Sequence, residues 1–193
     1  MTESDKTLNQ IFELYKEFGQ ADYIGETVTQ TQHMLECAQA AEVYLSTTPS
    51  PFNTQIILAA LFHDIGHLVG MAQASKKMDS LGTHGHERIG ASFLRQLGIT
   101  GLIPDLVEKH VEAKRYLTCT NPDYLLKLSD ASRKTLKFQG GPMTQVEADD
   151  FERDPNFNLI LLFRSWDDQA KENCSVKELS YYREMLKSYL TSL

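Results

Sequence analysis

The chain has 193 residues, 41% of them hydrophobic, which predicts one domain with a sizeable core over residues 1–193. A formal net charge of -7 and a pI of about 5.3 argue against nucleic acid as a partner, because phosphate backbones bind basic surfaces. The three cysteines are far apart and form no CxxC pair, and no apolar run reaches the ~18 residues of a membrane span. With no apolar signal core at the start, these features predict a cytoplasmic protein with reduced thiols and no membrane segment.

Apolar residues recur with helical spacing along the chain, and no alternating strand pattern persists, which predicts an all-α fold. A polar stretch over residues 71–82 predicts a mobile surface loop. The predicted helices cover residues 3–19, from a cap at Thr27 or Thr29 to about 47, from Asn53 to near Gly70, and 83–98. Further helices open near Pro104 and at Pro122, a short one lies within 144–154, and two more cover 156–172 and 175–191.

Histidine and aspartate residues form the main candidate site, since all six histidines lie between positions 33 and 110. His63 and His67 are four residues apart and share a helix face, whereas His63 and Asp64 diverge unless a helix ends there. Asp64 follows an apolar run, where an unpaired carboxylate is costly to bury and a cation would compensate its charge. A single such histidine is usually a hydrogen-bonded core residue, but the whole spaced set predicts ligands for Fe, Mn or Zn: His33, His63, Asp64, His86, His110 and Asp167.

Five segments resemble the HD-domain superfamily, namely QTQHMLECA, LFHDIGH, HERIGASFL, VEKHVEAKRYL and FRSWDDQAK. The resemblance implies an HD-domain helical bundle with a dinuclear metal centre in its core, in which Asp64 bridges the two metals. It further implies that one metal is held by His33, His63 and Asp167 and the other by His86 and His110. His84 is an alternative to His86, which is preferred because it lies four residues before a Gly-Ala pair.

Further segments resemble one branch of that superfamily, the mixed-valent diiron oxygenases, which include myo-inositol oxygenase and the PhnZ/TmpB-type phosphonate oxygenases. These segments are DYIGE, HVEAKRY, LSDASRKTLKFQGGPM and FRSWDDQAK. The resemblance implies an Fe(II)/Fe(III) pair with O2 as co-substrate. It implies that Tyr23 and Glu26 gate an iron position until substrate displaces them. It also implies a set of substrate-binding residues, namely His67, Lys114, Ser132, Gln139 and Arg164.

The reaction implied by this branch is oxidative cleavage of a C–P bond in organophosphonate degradation. The preferred small-molecule substrate is 1-hydroxy-2-(trimethylammonio)ethylphosphonate, which gives phosphate and glycine betaine; the alternative, 1-hydroxy-2-aminoethylphosphonate, gives glycine. A hydroxylase that acts upstream without a stable complex is expected to supply the substrate. A different function, an HD-type metal-dependent phosphohydrolase acting on a nucleotide or phosphomonoester, stays open because it would use the same metal ligands. A non-catalytic module that binds a phosphorylated signal is a third alternative.

Overall fold

The computed structural model describes residues 2–23, 27–172 and 174–192. Within these residues the chain forms helices and no β-strand, apart from two isolated bridges. The helices are α1 (Glu3–Phe18), α2 (Gln30–Thr47), α3 (Asn53–Phe62), α4 (Ile65–Ala72), α5 (His86–Gln96), α6 (Leu102–Thr120), α7 (Pro122–Lys127), α8 (Asp130–Phe138), α9 (Gln145–Phe151), α10 (Phe157–Gln169) and α11 (Leu179–Thr191). The prediction of an all-α fold is therefore confirmed.

Helix α3 lies at the centre of the bundle. All of its residues from 56 to 62 are buried, as expected for a helix that is apolar on every side. It packs against α2 and α6, and α10 packs against the same two helices. Helices α1 and α11 pack together on the outside, and α11 also contacts α3. The three helices around α3 bring residues from distant parts of the sequence to its carboxyl end.

The sequence predicts one helix from Asn53 to near Gly70, and this prediction is wrong at its middle. The helix stops at Phe62 and resumes at Ile65, with a bend of 43° between the two parts. Asp64 leaves helical geometry, with φ -104° and ψ 11°. The break matters because adjacent residues on a continuous helix diverge, whereas here His63 and Asp64 both reach one site. Hydropathy does not reveal the break, since apolar residues continue on both sides of it.

Helices α4 and α5 approach each other closely at Gly66. A Cβ atom added at Gly66 would lie 1.8 Å from the carbonyl oxygen of His86, so no larger residue fits without movement. Helix α5 begins at His86, after Gly85 with φ 71°, and the predicted start at Thr83 is wrong. Thr83 instead donates its backbone N–H to His67 Nδ1 at 2.9 Å. The HDIGH segment thus supplies the close contact that holds His86 beside Asp64.

The segment between α4 and α5 only partly fits the predicted surface loop. Met78 is 1% exposed, and its backbone N–H donates to the carbonyl of Gly82 at 2.8 Å. Lys77 and Thr83 form an isolated antiparallel bridge. Most of the other side chains in the segment reach solvent, but Met78 and Leu81 face an internal cavity. This segment is therefore part of a cavity wall.

Two sequence-based expectations concern the thiols and the membrane. Cys37, Cys119 and Cys174 are all free thiols. Among the described residues no single helix is long and apolar enough to cross a membrane. The bent pair α3 and α4 passes on length and composition alone, a test that buried core helices also pass.

Candidate metal centre

All six predicted ligands converge at the carboxyl end of α3, and all are buried. His84, the alternative to His86, is exposed and lies outside this cluster. The six residues come from four different helices and the α3–α4 break: His33 from α2, His63 and Asp64 from the break, His86 from α5, His110 from α6 and Asp167 from α10.

The first half of the cluster contains His33, His63 and Asp167. His33 Nε2 lies 3.0 Å from His63 Nε2 and 3.2 Å from Asp167 Oδ1. Both imidazole Nε2 atoms also lie 3.5 Å from Asp64 Oδ2. Four ligand atoms thus surround one point, which we call the first position.

The second half contains His86 and His110 and uses the other oxygen of Asp64. The two Nε2 atoms are 3.1 Å apart, and they lie 3.2 Å and 3.6 Å from Asp64 Oδ1. We call the point between these three atoms the second position. Because the two oxygens of Asp64 face different histidine pairs, its carboxylate has the geometry of a bridge between two cations.

Hydrogen bonds at Nδ1 fix the tautomer of three of these imidazoles and the direction in which Nε2 points. A carbonyl oxygen can only accept, so a ring bonded to one carries its proton on Nδ1 and keeps an Nε2 lone pair for a metal. Three rings are held this way, with Nδ1–O distances of 2.5 Å for His33 and Ala170, 2.8 Å for His63 and Ala60, and 2.7 Å for His110 and Val107. Two nitrogen lone pairs only 3.0 Å apart repel unless a proton or a cation lies between them. This donor set therefore fits a metal ion at each position.

The charges of the cluster also suit cations. Burial raises the pKa of Asp64, but His63, His67 and His86 outweigh it and hold the pKa well below its usual value. Burial has the same effect on Asp167, where Arg164 outweighs it and again keeps the pKa well below normal. Both carboxylates are therefore ionised, and neutral imidazole with ionised carboxylate is the ligand set that Fe, Mn and Zn accept.

The paired histidines differ in how readily they take up a proton. Burial, followed by the neighbouring His86, lowers the pKa of His110 to about 3. For His86, burial is outweighed by Asp64, and its pKa is raised. The first pair behaves alike: burial lowers the pKa of His63, whereas Asp167 outweighs burial and raises that of His33. Each pair can therefore share one proton between its Nε2 atoms, and a bound metal would displace it.

His67 lies beside the second position but presents a different atom. Its Nε2 is 3.9 Å from Asp64 Oδ1, and with Asp64 and His86 it forms a group close enough to share an ion. However, its Nδ1 accepts the N–H of Thr83, so Nε2 carries the proton of a neutral ring. Burial, followed by His86, lowers its pKa to about 3, which keeps the ring neutral. His67 is thus arranged as a hydrogen-bond donor beside the second position.

A cavity of about 50 Å³ adjoins the second position. His86 and His110 line it, whereas His33 and His63 do not. Its far wall is polar and carries most of the predicted substrate-binding residues. The side chains of this wall are Lys114, Ser132, Thr135, Gln139 and Arg164.

Lys114 is the central cation of this wall. Its Nζ donates to Thr135 Oγ1 and to Gln139 Oε1, both at 2.8 Å. Burial, followed by the charge of Arg164, lowers the Lys114 pKa to about 7. Ser132 Oγ accepts from Lys171 Nζ at 3.2 Å. Burial destabilises the protonated form of Lys114, and an anion bound in the cavity would stabilise that form again.

Arg164 lines the same cavity but is largely engaged with protein groups. Its Nη1 donates to Asp167 Oδ2 at 2.6 Å and its Nε to the hydroxyl of Tyr124 at 3.1 Å, while Nη2 donates to Asp168 Oδ1. A guanidinium has five N–H donors, so two stay available for a ligand. Arg164 therefore combines a contact to a metal ligand with a place in the cavity wall.

Tyr23 covers the first position from the side. Its ring stacks on that of His33, with centroids 3.8 Å apart and an interplanar angle of 17°. Its backbone N–H donates to the carbonyl of Val28 at 2.8 Å. Tyr23 also lines the cavity. Glu26, its predicted gating partner, lies outside the described residues.

Three residues of this site were missed in the sequence. Thr135 binds Lys114 and lies on the α8 face of Ser132 and Gln139, so helical spacing could have found it. Asp168 and Tyr124 bond to Arg164 and to each other. Asp168 was visible only as the second half of an Asp-Asp pair, and nothing in the sequence marks Tyr124.

Comparisons with known proteins agree with this fold and this donor set. The HD domain family model matches residues 31–135, which include the four paired histidines and Asp64. The chain therefore belongs to the HD-domain family. Its own buried His/Asp cluster could hold a metal.

The more similar relatives give a narrower group. An uncharacterized protein of Acanthamoeba polyphaga mimivirus is 43% identical over 187 residues, 96% of this chain and 83% of that protein. The [1-hydroxy-2-(trimethylamino)ethyl]phosphonate dioxygenase (glycine-betaine-forming) of Leisingera caerulea is 42% identical over 156 residues, 79% of this chain and 74% of that enzyme. The hydroxymethylphosphonate dioxygenase of Gimesia maris is 35% identical over 184 residues, 95% and 88% of the two chains. Within the HD-domain family, the chain thus belongs with the phosphonate dioxygenases, which are oxidoreductases, and the expected resemblance is confirmed.

Proposed function

We propose that this protein uses O2 to cleave the C–P bond of a 1-hydroxyphosphonate. The 1-hydroxyphosphonate and O2 together give a carboxylate and phosphate, so the carbon is oxidised and O2 is reduced without another co-substrate. The observation that carries the proposal is a cationic cavity wall directly beside a bridging carboxylate. A phosphonate held by that wall has its hydroxyl-bearing carbon near the second position.

The metal pair of this proposal is Fe(II)/Fe(III), held by the six residues of the first and second positions. When bound, iron supplies the redox chemistry that activates O2 and the Lewis acidity that binds the substrate oxygens. The protein residues supply charge and orientation. Lys114 offers a point charge to the dianionic phosphonate, and Arg164 offers its two remaining N–H donors. Ser132 and Gln139 add polar groups next to Lys114, and His67 adds an N–H donor on the side of Asp64.

Tyr23 is proposed to gate the centre, as the resemblance implies together with Glu26. Its stacked position on His33 supports this role, because a phosphonate entering the cavity meets Tyr23 in the cavity wall. Displacement of Tyr23 by substrate would couple O2 reactivity to substrate binding. This order protects the centre from oxidation when no substrate is present.

The substituent next to the reacting carbon is proposed to be trimethylammonium, which gives glycine betaine. The Leisingera caerulea relative, whose name specifies that chemistry, supports this choice. A primary amine, which gives glycine, is the second substrate to assay. An upstream hydroxylase would supply either compound. A cytoplasmic location and a single domain over residues 1–193 stay predictions.

The test is an assay of purified, iron-loaded protein with both 1-hydroxyphosphonates. We expect O2 consumption and phosphate release in equal amounts, together with a mixed-valent electron paramagnetic resonance signal that shifts when substrate is added. Phosphate release of the same size under strict anaerobiosis would instead identify a phosphohydrolase. Arg153 forms an exposed ion pair with Asp150, so Arg153→Met is a control with unchanged activity, whereas Lys114→Met should lose it at low substrate concentration.

A further inference from the structure

Asp167 presents only one of its two oxygens to the first position. Oδ1 faces His33 Nε2 at 3.2 Å and His63 Nε2 at 3.7 Å. Oδ2 points away and accepts from Arg164 Nη1 at 2.6 Å. A carboxylate whose second oxygen is bonded to a guanidinium binds a metal through one oxygen. Arg164 therefore decides how Asp167 can serve as a ligand.

Two further residues hold the other side of the Arg164 guanidinium. Asp168 accepts from Arg164 Nη2 through Oδ1, and from the Tyr124 hydroxyl through Oδ2 at 2.6 Å. The same hydroxyl accepts from Arg164 Nε at 3.1 Å. These contacts close a three-membered ring of hydrogen bonds among Arg164, Asp168 and Tyr124. Arg164 is 4% exposed, so water does not replace a lost partner easily.

The ring joins parts of the molecule that are distant in sequence. Asp168 follows Asp167 on α10, while Tyr124 lies on the short helix α7, more than 40 residues earlier in sequence. Helix α7 leads into α8, which carries Ser132 of the cavity wall and is followed directly by Gln139 of the same wall. The ring thus ties the anion-binding wall to a ligand of the first position.

We infer that Tyr124 and Asp168 are positioning residues that hold Arg164 against Asp167 and thereby tune the first metal position only. The inference rests on the proposed metal pair. Asp168 shares the positive charge of Arg164; without it, the whole charge acts on Asp167 and weakens that carboxylate as a metal donor. Tyr124 fixes the plane of the guanidinium, so that Nη1 points at Oδ2. Neither residue contacts Asp64, His86 or His110 through the ring, so the second position is unaffected.

The test measures metal binding with Co(II) alone, so it does not depend on phosphonate turnover. Asp168→Asn and Tyr124→Phe keep the volumes of the side chains and remove the charge or the hydroxyl. Matched controls are Asp150→Asn and Tyr181→Phe, which remove an exposed Arg153 pair and an exposed hydrogen bond to Glu42. Each variant is combined with His110→Ala, which leaves only the first position complete, or with His33→Ala, which leaves only the second.

Calorimetry should show Co(II) binding at the first position weakened about ten-fold by Asp168→Asn and by Tyr124→Phe, as for other residues that orient metal ligands. Binding at the second position should equal that of the controls. Equal weakening in both backgrounds would assign the ring a general structural role, and no weakening in either would remove it from the metal centre; both results overturn the inference. If a double variant does not fold, the single variants are titrated in the otherwise unchanged chain. There, one of the two binding steps must shift and the other must not.

The outcome separates this inference from the proposed function. Unaltered protein that binds no pair of Co(II) ions would overturn the metal centre itself. Unaltered protein that binds two ions, with variants that match their controls, would overturn only the role of Tyr124 and Asp168. Asp168→Glu provides the rescue, because it restores the charge and should recover part of the lost affinity at the first position.

Discussion

The two halves of the candidate metal centre share Asp64 but differ in nearly every other respect. The first position has two histidines and Asp167, is covered by the ring of Tyr23, and borders the cavity through Asp167 but not through His33 or His63. The second position has two histidines only, and both line the cavity. A position with more protein ligands holds its metal, whereas one with fewer leaves room for substrate. By this comparison the first position is suited to retaining its metal, and the second, with both of its histidines at the cavity, is suited to the proposed binding of substrate.

The surroundings of the two halves continue this difference. Arg164 occupies the outer oxygen of Asp167, which leaves this carboxylate one oxygen for the first position. Beside the second position lie the N–H of His67 and the cations of the cavity wall, which can meet an anion. On one side of Asp64 the neighbouring groups are thus bonded to one another, and on the other side they face a cavity that can take an anion.

The largest effect is expected from Asp64→Ala, which removes the one residue that serves both halves. Both positions lose an oxygen ligand: the second keeps two histidines alone, and the first keeps Asp167, whose negative charge is shared with Arg164. Metal analysis after loading should find neither ion retained, and turnover should fall to background. Asp150→Ala is the exposed control. An Asp64→Ala protein that still holds two ions would show that Asp64 is not a bridge.

Next in size are His33→Ala and His110→Ala, which separate the halves. Each should retain one Co(II) ion and lose turnover, because the chemistry requires both. Added hydroxymethylphosphonate should change the Co(II) absorption spectrum of the His33→Ala protein, whose remaining ion faces the cavity. The His110→Ala protein should not respond. The reverse pattern would exchange the roles given to the two positions.

A smaller effect is expected when Lys114 is replaced by Met. The variant should keep its metals, because Lys114 bonds to Thr135 and Gln139 and to none of the six metal-binding residues. It loses the positive charge that would bind the phosphonate. A hydrogen bond to a charged group contributes about 1.5–3 kcal/mol, so KM should rise about 10- to 100-fold with a smaller change in kcat. The exposed Lys134→Met is the control. An unchanged KM would place the phosphonate elsewhere.

The smallest effect is a pH dependence of the same interaction. The pKa of Lys114 is lowered to about 7, first by burial, so the free protein loses this cation as pH rises through that value. Substrate binds the cationic form, and KM should therefore increase above pH 7 and level off below it. Ionisation of the phosphonate itself affects every variant equally. Lys114→Arg stays protonated and should lack this part of the KM rise; profiles of equal slope would show that Lys114 does not contribute.

The residues of the site were more predictable than its backbone. The paired spacing of HDIGH and the scattered histidines identified a candidate ligand set, because buried imidazole and carboxylate need a compensating cation. The break between α3 and α4 was not predicted, since the apolar residues on both sides form an unbroken run. That break is what allows adjacent His63 and Asp64 to serve one centre.

In the cavity wall, too, the kinds of side chain were predictable from the sequence, whereas their hydrogen-bond partners were not. Lys114, Ser132, Gln139 and Arg164 were expected near the substrate, and the structure brings all four to one cavity. That Arg164 also bonds to Asp167, Asp168 and Tyr124 could not be read from the sequence, because α7 and α10 meet only in the folded chain. Met78 was likewise assigned to a surface loop because its neighbours are polar.

The sequence by itself determined the helical class, the family and the kinds of side chain available for metal and anion. These depend on periodicity and residue chemistry, which are local properties of the chain. Only the tertiary structure decided that the two oxygens of Asp64 face separate histidine pairs, that His67 carries its proton toward the cavity, and that Arg164 is divided between ligand and wall. Each of these depends on hydrogen-bond partners supplied by distant segments, and packing alone brings such partners together.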